Sequence, residues 1–403
     1  MEVPLNPKIN SLSPYPFSYL SELLKDSKSG RNKIINLSIG EPQNKPPVEV
    51  LNILNSNLEK LSQYPTSQGL SELREAYSNW LLDRFDLLNS VDPEKNVLPV
   101  GGTREGIFSF IQATIDSSKK RATTVIPNPF YKIYEGASIS AGANCFFVNY
   151  LKENNFKPDL ESVPEQIWAD CQILILCSPS NPTGQCLSIE EYKTALLLAD
   201  KFNFLVCSDE CYSDIYPSEK QAPTGLLQAS EELGLFSKSV VFHSLSKRSN
   251  LAGLRSGFVC AHEKIIEKLL LYRTYHGVTL SIPTQKASAW AWSNLEHVEK
   301  NRISYDQKYQ RALEELREFP KIQRPAGSFY LWIETPIDDR EFTKSLYEEQ
   351  GLIVLPGSYL GTYINNKNPG SGFVRLAIVH EPDLVSESMK RLKEFLSIYQ
   401  KVD

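Results

Sequence analysis

The stretch that decides the fold is SVVFHSLSKRSNLAGLRSG, residues 239–257. It opens with an apolar, β-branched run at 239–242, which is typical of a buried strand. Lys247 follows that strand, and Arg255 follows the lysine by eight residues. Such a lysine can hold an aldehyde cofactor as an imine, while Ser244 and Arg255 bind the phosphate of that cofactor. Taken alone, the same letters are more typical of a solvated basic loop, so the rest of the chain has to decide.

The pattern of an apolar run followed by a polar loop recurs through the middle of the chain. Further runs stand at residues 96–100, 122–126, 173–177 and 204–207, and the stretches 105–115 and 189–202 have helical periodicity. Strands that alternate with helices predict an α/β fold with a mostly parallel sheet covered on both faces. Because ligands bind at the carboxyl ends of such strands, the polar loops predict one convergent site.

The length and the change of pattern near residue 283 predict two domains. A chain of 403 residues exceeds the size at which a single core stops growing. After residue 283 comes a long helical stretch at 285–319, followed by short strands at 328–333 and 373–379. We predict that residues 46–284 form the large domain. Residues 285–403 form a smaller α+β domain, which the N-terminal segment 1–45 joins through a helix at 16–25.

Composition argues against several other classes of protein. The net charge of −5 is spread along the chain without a basic block, so neither nucleic-acid nor membrane binding is expected. The first ten residues lack the apolar run of a signal peptide, which favours a cytoplasmic location. The seven cysteines are an odd number scattered through apolar runs, which indicates reduced thiols. Neither cysteines nor histidines have the spacing of a metal site.

Several short motifs occur in one order along nearly the whole chain. They are LSIGEP at 37–42, GT at 102–103, NPFY at 128–131, SNPTG at 180–184, DECY at 209–212 and the stretch 244–255. With Tyr64 and Arg375, this series resembles the class I/II aminotransferases of the aspartate aminotransferase fold. The resemblance implies a fold-type I, pyridoxal 5′-phosphate-dependent transaminase that acts as a homodimer with active sites at the subunit interface.

The resemblance assigns the reacting groups to four residues. Lys247 would bond to the cofactor aldehyde and then move a proton between the substrate α-carbon and the cofactor. Asp209, at the end of an apolar strand, would pair with the protonated pyridine nitrogen. Tyr212 and Asn181 would hydrogen-bond the phenolate oxygen of the cofactor, which lowers the proton affinity of the imine.

The phosphate group is assigned to a cradle of small and basic residues. Gly102 and Thr103 precede a helix that we expect to begin near residue 105, so free backbone N–H groups would face the phosphate. Arg255 and Ser244 would add a guanidinium and a hydroxyl. By resemblance, Tyr64 would reach the phosphate bound in the neighbouring subunit.

Three further residues are expected around the cofactor ring and the substrate. The flat ring of Tyr131 can stack on the pyridine face of the cofactor. The alternative is that Tyr131 is an ordinary aromatic residue of the core. Arg375 lies in an apolar strand, FVRLAIV at 373–379, where a guanidinium needs an anion. That anion is either the substrate α-carboxylate or an internal ion-pair partner. Gly40 would let the backbone approach the same carboxylate closely.

The substrate is indicated by longer stretches at 12–17, 244–250, 272–277, 327–332 and 355–360. They resemble the bacterial succinyldiaminopimelate aminotransferases of lysine biosynthesis. This implies amino-group exchange between L-glutamate and N-succinyl-2-amino-6-oxopimelate. Because both substrates carry several carboxylates, we expect a second cation in the pocket. Arg104, Arg248 and Arg273 are open candidates, and the loop 272–277 is expected to shape the distal pocket.

Two alternatives remain at this point. The same cofactor chemistry could serve aromatic amino acids or glutamine, or a β-lyase reaction. A non-catalytic regulatory module that binds the cofactor is the alternative from another class of protein. Such modules usually carry a DNA-binding extension, and this chain has no basic helix-turn-helix segment.

Overall fold

The computed structural model describes residues 6–89 and 91–399, which fold into fourteen α-helices and twelve strands. The helices are α1 Pro16–Leu24, α2 Val48–Asn55, α3 Ser71–Phe85, α4 Thr103–Thr114, α5 Ile133–Ala141, α6 Glu165–Asp170, α7 Ile189–Phe202, α8 Leu226–Leu233, α9 Leu245–Arg248, α10 Glu263–His276, α11 Ile282–Ser293, α12 Glu296–Glu315, α13 Asp339–Gln350 and α14 Pro382–Tyr399. The strands are β1 Ile35–Asn36, β2 Val97–Val100, β3 Thr123–Asn128, β4 Asn144–Asn149, β5 Cys171–Cys177, β6 Leu205–Asp209, β7 Ser239–Ser244, β8 Gly257–Ala261, β9 Tyr330–Glu334, β10 Leu352–Ile353, β11 Leu355–Pro356 and β12 Phe373–Ala377.

A seven-stranded sheet forms the centre of the molecule. Its strand order is β2-β8-β7-β6-β5-β3-β4, and every neighbouring pair is parallel except the two pairs that β8 makes. The strands β5, β6 and β7 are buried almost throughout, as expected where helices cover both faces of a parallel sheet. The predicted α/β architecture is therefore confirmed.

Two apolar layers enclose the central sheet. Tyr77, Trp80 and Trp292 belong to the core on one face, and Phe110 and Phe242 belong to the core on the other. The helix α7 illustrates how the covering helices are fixed locally. Ser188 caps its N-terminus in a reciprocal pair of hydrogen bonds with Glu191, which satisfies backbone donors that the helix itself leaves unpaired.

A smaller unit contains the antiparallel sheet β11-β12-β9 together with α13 and α14. The N-terminal strand β1 pairs in parallel with β10, so the start of the chain joins the C-terminal part. The division at residues 45/46 and 284/285 stays a prediction. Because α11 shares the core of the central sheet through Trp292, we propose that the large domain includes α11.

Several predicted boundaries were wrong. The stretch 285–319 is two helices, α11 and α12, instead of one, because the chain breaks at residues 294–295. The segment 272–277 is the end of helix α10 and not a loop. The strands β4 and β8 were not predicted. Among the described residues, no helix has the length and apolar character needed to cross a lipid bilayer.

Candidate active site

Two adjoining cavities open at the carboxyl ends of the central strands. Their volumes are about 780 and 220 Å³, and both are lined by Lys247, Arg104 and Tyr131. Asp209 and Ser244, the last residues of β6 and β7, also line these cavities. The structure thus brings together polar groups that the sequence distributes over more than two hundred residues.

Lys247 lies on α9, a single helical turn directly after β7. Ser244 caps this turn because its Oγ accepts a hydrogen bond from the backbone N–H of Ser246 at 3.1 Å. The Nζ of Lys247 donates to the carbonyl oxygen of Gly40 at 2.6 Å. Burial lowers the pKa of Lys247 to about 8, so much more of the amine is neutral near physiological pH than in an ordinary lysine. A neutral amine is the form that attacks an aldehyde.

Asp209 is a buried carboxylate with hydrogen-bond donors but no ion-pair partner in the described part of the chain. Its Oδ2 accepts from the hydroxyl of Tyr134 at 2.8 Å, and its Oδ1 accepts from the backbone N–H of Cys211 at 3.3 Å. Burial raises the pKa of Asp209, and these hydrogen bonds oppose the rise. A cation placed beside this carboxylate would lower the pKa of Asp209 and stabilise its charged form.

Arg375 on β12 points a buried guanidinium at polar groups that carry no formal charge. Its Nη1 donates to Oδ1 of Asn181 at 2.8 Å, and its Nη2 donates to the carbonyl of Ser38 at 2.7 Å. Its Nε has no partner, and no carboxylate among the described residues forms an ion pair with it. Because Oδ1 of Asn181 is engaged, its amide N–H groups are left for the cavity.

Tyr212 lies at the start of the loop after β6, with its hydroxyl 2.9 Å from the hydroxyl of Tyr330. Both phenols are buried and line the smaller cavity. The ring of Tyr330 also lies under Arg375, with the guanidinium carbon 4.3 Å from the ring centre. These three side chains form one packed group beside Asn181.

The expected phosphate cradle lies between the start of α4 and Arg255. Gly102 has a φ of +84°, and a Cβ at this position would lie 2.5 Å from Nη2 of Arg255, so only glycine fits. The N–H of Gly102 itself donates to the carbonyl of Val100 at 2.8 Å. The free backbone donors are therefore those of the first turn of α4, which begins at Thr103 and not near residue 105.

Two polar side chains complete this cradle. Arg255 donates to the carbonyls of Ala252 and Gly101 at 2.8 and 3.1 Å, and these neutral acceptors leave its charge available to an anion. The hydroxyl of Ser244 donates to Oγ of Ser246 at 2.9 Å. Because Ser246 accepts that bond, its own proton is free, and it lines the larger cavity alongside Ser244.

Arg104 lines the smaller cavity together with Arg375. Its Nε donates to the hydroxyl of Tyr131 at 2.5 Å, and its guanidinium lies 5.7 Å from the ring centre of Tyr15. The described residues give it no carboxylate partner. Arg104 is therefore a cation in the cavity wall that phenols hold in place.

The two other candidate cations do not reach the cavities. Arg248 is buried in an ion pair with Asp214 at 2.6 Å, and the ring of Trp292 lies beneath it. Arg273 is buried in an ion pair with Glu105. Both residues are therefore structural, and neither is the second cation expected in the pocket. Their positions in the sequence gave no indication of their ion-pair partners.

The structure does not bring Tyr64 to the cavities of its own chain, because its side chain is fully exposed to solvent. Gly40 is close to Lys247, and a Cβ at Gly40 would overlap the hydroxyl of Tyr330. The glycine therefore makes room for that phenol. Its predicted approach to a substrate carboxylate stays a prediction.

Sequence reasoning missed three polar side chains of the site. Tyr134 follows Tyr131 by one helical turn, a spacing that offered a signal for a second inward-facing phenol. Ser246 stands in the same SLSK stretch as Ser244. Tyr330 had no local signal, since its contact with Tyr212 joins residues 118 positions apart.

The arrangement fits pyridoxal 5′-phosphate on two independent observations. Asp209 is a buried carboxylate without a cation, which suits the protonated ring nitrogen. The start of α4 combines free N–H donors with Arg255, and Gly102 keeps this space clear of any Cβ. These residues and Lys247 surround connected space of the right chemical character.

The fold and this site define the class of protein. A family model described as aminotransferase class I and II matches residues 32–392. The chain therefore belongs to this family, whose members depend on pyridoxal 5′-phosphate and act on amino acids and keto acids.

Individual relatives agree with the family assignment over nearly the full length. LL-diaminopimelate aminotransferase of Natranaerobius thermophilus is 30% identical over 396 residues, covering 97% of this chain and 99% of the relative. The crystal structure of an aminotransferase from Neisseria meningitidis is 39% identical with a TM-score of 0.93, covering 98% of this chain and 100% of that one. A probable N-succinyldiaminopimelate aminotransferase of Thermus thermophilus is 26% identical with a TM-score of 0.82, covering 94% and 99%.

Proposed function

We propose that this aminotransferase exchanges an amino group between L-glutamate and N-succinyl-2-amino-6-oxopimelate. The products are 2-oxoglutarate and N-succinyl-LL-2,6-diaminopimelate, so one amino group and one hydrogen replace a carbonyl oxygen on each exchange. The observation that carries the proposal is a pair of guanidinium groups, Arg375 and Arg104, which line the same cavity without a carboxylate partner among the described residues. One suits an α-carboxylate and the other a distal carboxylate, which matches dicarboxylic substrates.

Pyridoxal 5′-phosphate supplies an aldehyde carbon that bonds to amines and a ring that withdraws electrons. Lys247 would hold it through Nζ and then carry a proton on Nζ to and from the substrate α-carbon. Asp209 would keep a positive charge on the ring nitrogen. Tyr212 and the amide of Asn181 would donate to the phenolate oxygen, and Arg375 would fix the substrate α-carboxylate.

The remaining predicted contacts are part of the same proposal. Tyr131, which Arg104 holds by its hydroxyl, would lie against the ring. Thr103, Ser244 and Arg255 would bind the phosphate. Because neighbouring residues hold Tyr131, Ser244 and Arg255 by hydrogen bonds before any ligand binds, little ordering of these side chains is needed on binding.

A homodimer belongs to the proposal because Tyr64 is exposed and would act only in a second copy of the chain. Four apolar side chains that precede it closely in the sequence are also exposed, namely Val48, Leu51, Leu58 and Leu61. An exposed apolar group of this kind is typical of an interface. Mixing inactive Tyr64→Ala and Lys247→Ala proteins should restore part of the activity through mixed dimers. A mixture that stays inactive would contradict shared sites.

A second candidate is favoured by the name of the Natranaerobius relative. An LL-diaminopimelate aminotransferase acts on the free diamine, which lacks the succinyl group and its carboxylate. The two activities differ only in this acyl group, so the distal part of the pocket decides between them.

The experiment compares amino donors with 2-oxoglutarate as the acceptor. We expect glutamate formation from N-succinyl-LL-2,6-diaminopimelate to exceed that from LL-diaminopimelate by at least about tenfold in kcat/KM, since binding of the extra carboxylate contributes a charge-assisted hydrogen bond. L-Phenylalanine and L-glutamine test the remaining alternatives. Preference for the free diamine or for either of these amino acids would overturn the proposed substrate.

A further inference from the structure

Tyr330 packs with Tyr212 and Arg375, but unlike them it has no assigned role in the proposed reaction. Tyr330 is the first residue of β9 and pairs with Ala377 at the end of β12. Only 2% of its surface is exposed, yet it lines the smaller cavity. Its backbone carbonyl accepts a hydrogen bond from the hydroxyl of Tyr309 at 3.0 Å.

The hydroxyl of Tyr330 has Tyr212 as its hydrogen-bond partner in the described part of the chain. Either hydroxyl can donate in this pair, so a Tyr212 proton that points at the cofactor requires Tyr330 to be the donor. If Tyr330 donates to the oxygen of Tyr212, the proton of Tyr212 must point elsewhere, and the cavity is the open direction. Gly40 allows this arrangement, because any side chain there would displace the hydroxyl of Tyr330.

The ring of Tyr330 has a separate contact. The guanidinium carbon of Arg375 lies 4.3 Å from the centre of this ring, which is a cation–π distance. Together with Asn181 and the carbonyl of Ser38, the ring fixes the plane of the guanidinium. The hydroxyl and the ring therefore act on two different partners.

We propose that Tyr330 is a positioning residue with two functions: its hydroxyl orients the proton of Tyr212 toward the cofactor, and its ring supports Arg375 for the substrate carboxylate. This inference rests on the proposed roles of Tyr212 and Arg375. The two functions can be tested in turn, by one substitution that removes the hydroxyl alone and a second that removes the ring as well.

Tyr330→Phe removes the hydroxyl and keeps the ring. In the protein loaded with pyridoxal 5′-phosphate and without substrate, we expect the pH midpoint of the visible spectrum to rise by about 0.5 to 1 unit. The reason is that a less well oriented Tyr212 stabilises the phenolate less, so the covalent lysine link binds its proton more tightly. The KM for L-glutamate should stay within about twofold.

Tyr330→Leu removes the ring as well. It should raise the spectral midpoint by a similar amount and also raise the KM for L-glutamate about tenfold, as expected for loss of a cation–π contact. The matched control is Tyr309→Phe, which removes a buried hydroxyl that contacts the same strand but does not line either cavity. It should change neither quantity.

Tyr212→Phe separates failure of this inference from failure of the proposed site. If Tyr212→Phe raises the spectral midpoint and Tyr330→Phe does not, the inference about Tyr330 is overturned while the role of Tyr212 stands. If neither variant moves the midpoint, the proposed role of Tyr212 is wrong, and the inference falls with it. A Tyr330→Phe protein that shifts the midpoint only as much as Tyr309→Phe also overturns it.

Discussion

The hydroxyl of Tyr134 lies 2.8 Å from Oδ2 of Asp209, and both residues are buried at the wall of the smaller cavity. This bond joins the start of helix α5 to the end of strand β6. A hydroxyl that donates to a carboxylate stabilises its charged form, whereas burial stabilises the neutral form. Tyr134 therefore helps to keep Asp209 ionised in a place where a carboxylate would otherwise take up a proton.

Tyr134→Phe should move the acid side of the pH profile upward. With that donor gone, burial raises the pKa of Asp209 further, so the carboxylate is lost at a higher pH as the pH falls. We expect the acid midpoint of the glutamate half-reaction to rise by about 0.5 to 1 unit. Tyr192→Phe is the control, since its buried hydroxyl contacts Ser208 instead. An unchanged midpoint in Tyr134→Phe would contradict this role.

The rate at which the apoprotein takes up pyridoxal 5′-phosphate should level off above pH 8. Burial lowers the pKa of Lys247 to about 8, so the reactive neutral amine increases steeply through that pH and is nearly complete about one unit above it. An ordinary lysine, with a pKa of about 10.4, would still gain reactivity at higher pH. Uptake is followed by visible absorbance, with Nα-acetyl-lysine as the reference amine. A rate that climbs steadily to pH 10 would be evidence against a shifted lysine.

Arg104→Gln should selectively lower the kcat/KM for acidic substrates. Losing a charge-assisted contact to the distal carboxylate is expected to lower kcat/KM for L-glutamate by about 10- to 100-fold. L-Alanine has no distal carboxylate, so its kcat/KM should change little. Single-turnover kinetics measure the ratio of kcat/KM for L-glutamate to kcat/KM for L-alanine. Arg121→Gln, at an exposed arginine, serves as the control. Equal losses for both substrates would mean that Arg104 only supports the structure.

Asp214→Asn should destabilise the fold, although Asp214 lines neither cavity of the site. Burial alone would raise the pKa of Asp214, but Arg248 and Arg84 outweigh it and lower the pKa to about 2. Removing the carboxylate leaves two buried guanidinium groups unpaired, which we expect to cost about 3 to 5 kcal/mol of unfolding free energy. Urea unfolding measures this loss.

The same variant has a defined pH dependence. A depressed pKa contributes stability that is complete above the ordinary aspartate pKa of about 4 and disappears as the pH falls toward 2. The difference between the parent and Asp214→Asn should therefore shrink over that window. Asp170→Asn, which breaks a pair with the exposed Arg121, should change stability by less than about 1 kcal/mol. A pH-independent difference would exclude the ion pair as its source.

The sequence predicted the parts of the fold that have a strong local pattern. The buried runs that became β5, β6 and β7 are continuous and apolar, and their polar ends marked the site. The strands β4 and β8 were missed for physical reasons. The edge strand β4 is only partly buried and mixes polar with apolar residues, while β8 has only five residues and begins with Gly257, two positions after Arg255.

Contacts between distant residues set the limit on what could be predicted about the site. Arg104 and Arg248 are the same residue type, and each lies in a helical turn shortly after a strand, so only the fold shows that Asp214 pairs with Arg248. The contacts Tyr134–Asp209 and Tyr212–Tyr330 span 75 and 118 positions. No periodicity or local motif encodes such separations, so these two contacts became visible only in the folded chain.

The most direct measurement is to reduce the loaded protein with borohydride and locate the modified lysine by peptide mass spectrometry. Lys308 is the natural internal comparison, because burial lowers its pKa to about 8 as well, although Asn44 and the carbonyl of Val379 bind its Nζ outside the cavities. The account predicts one reduced pyridoxyl phosphate group, on Lys247 alone. The group on Lys308 or on any other lysine, with Lys247 unmodified, would contradict it.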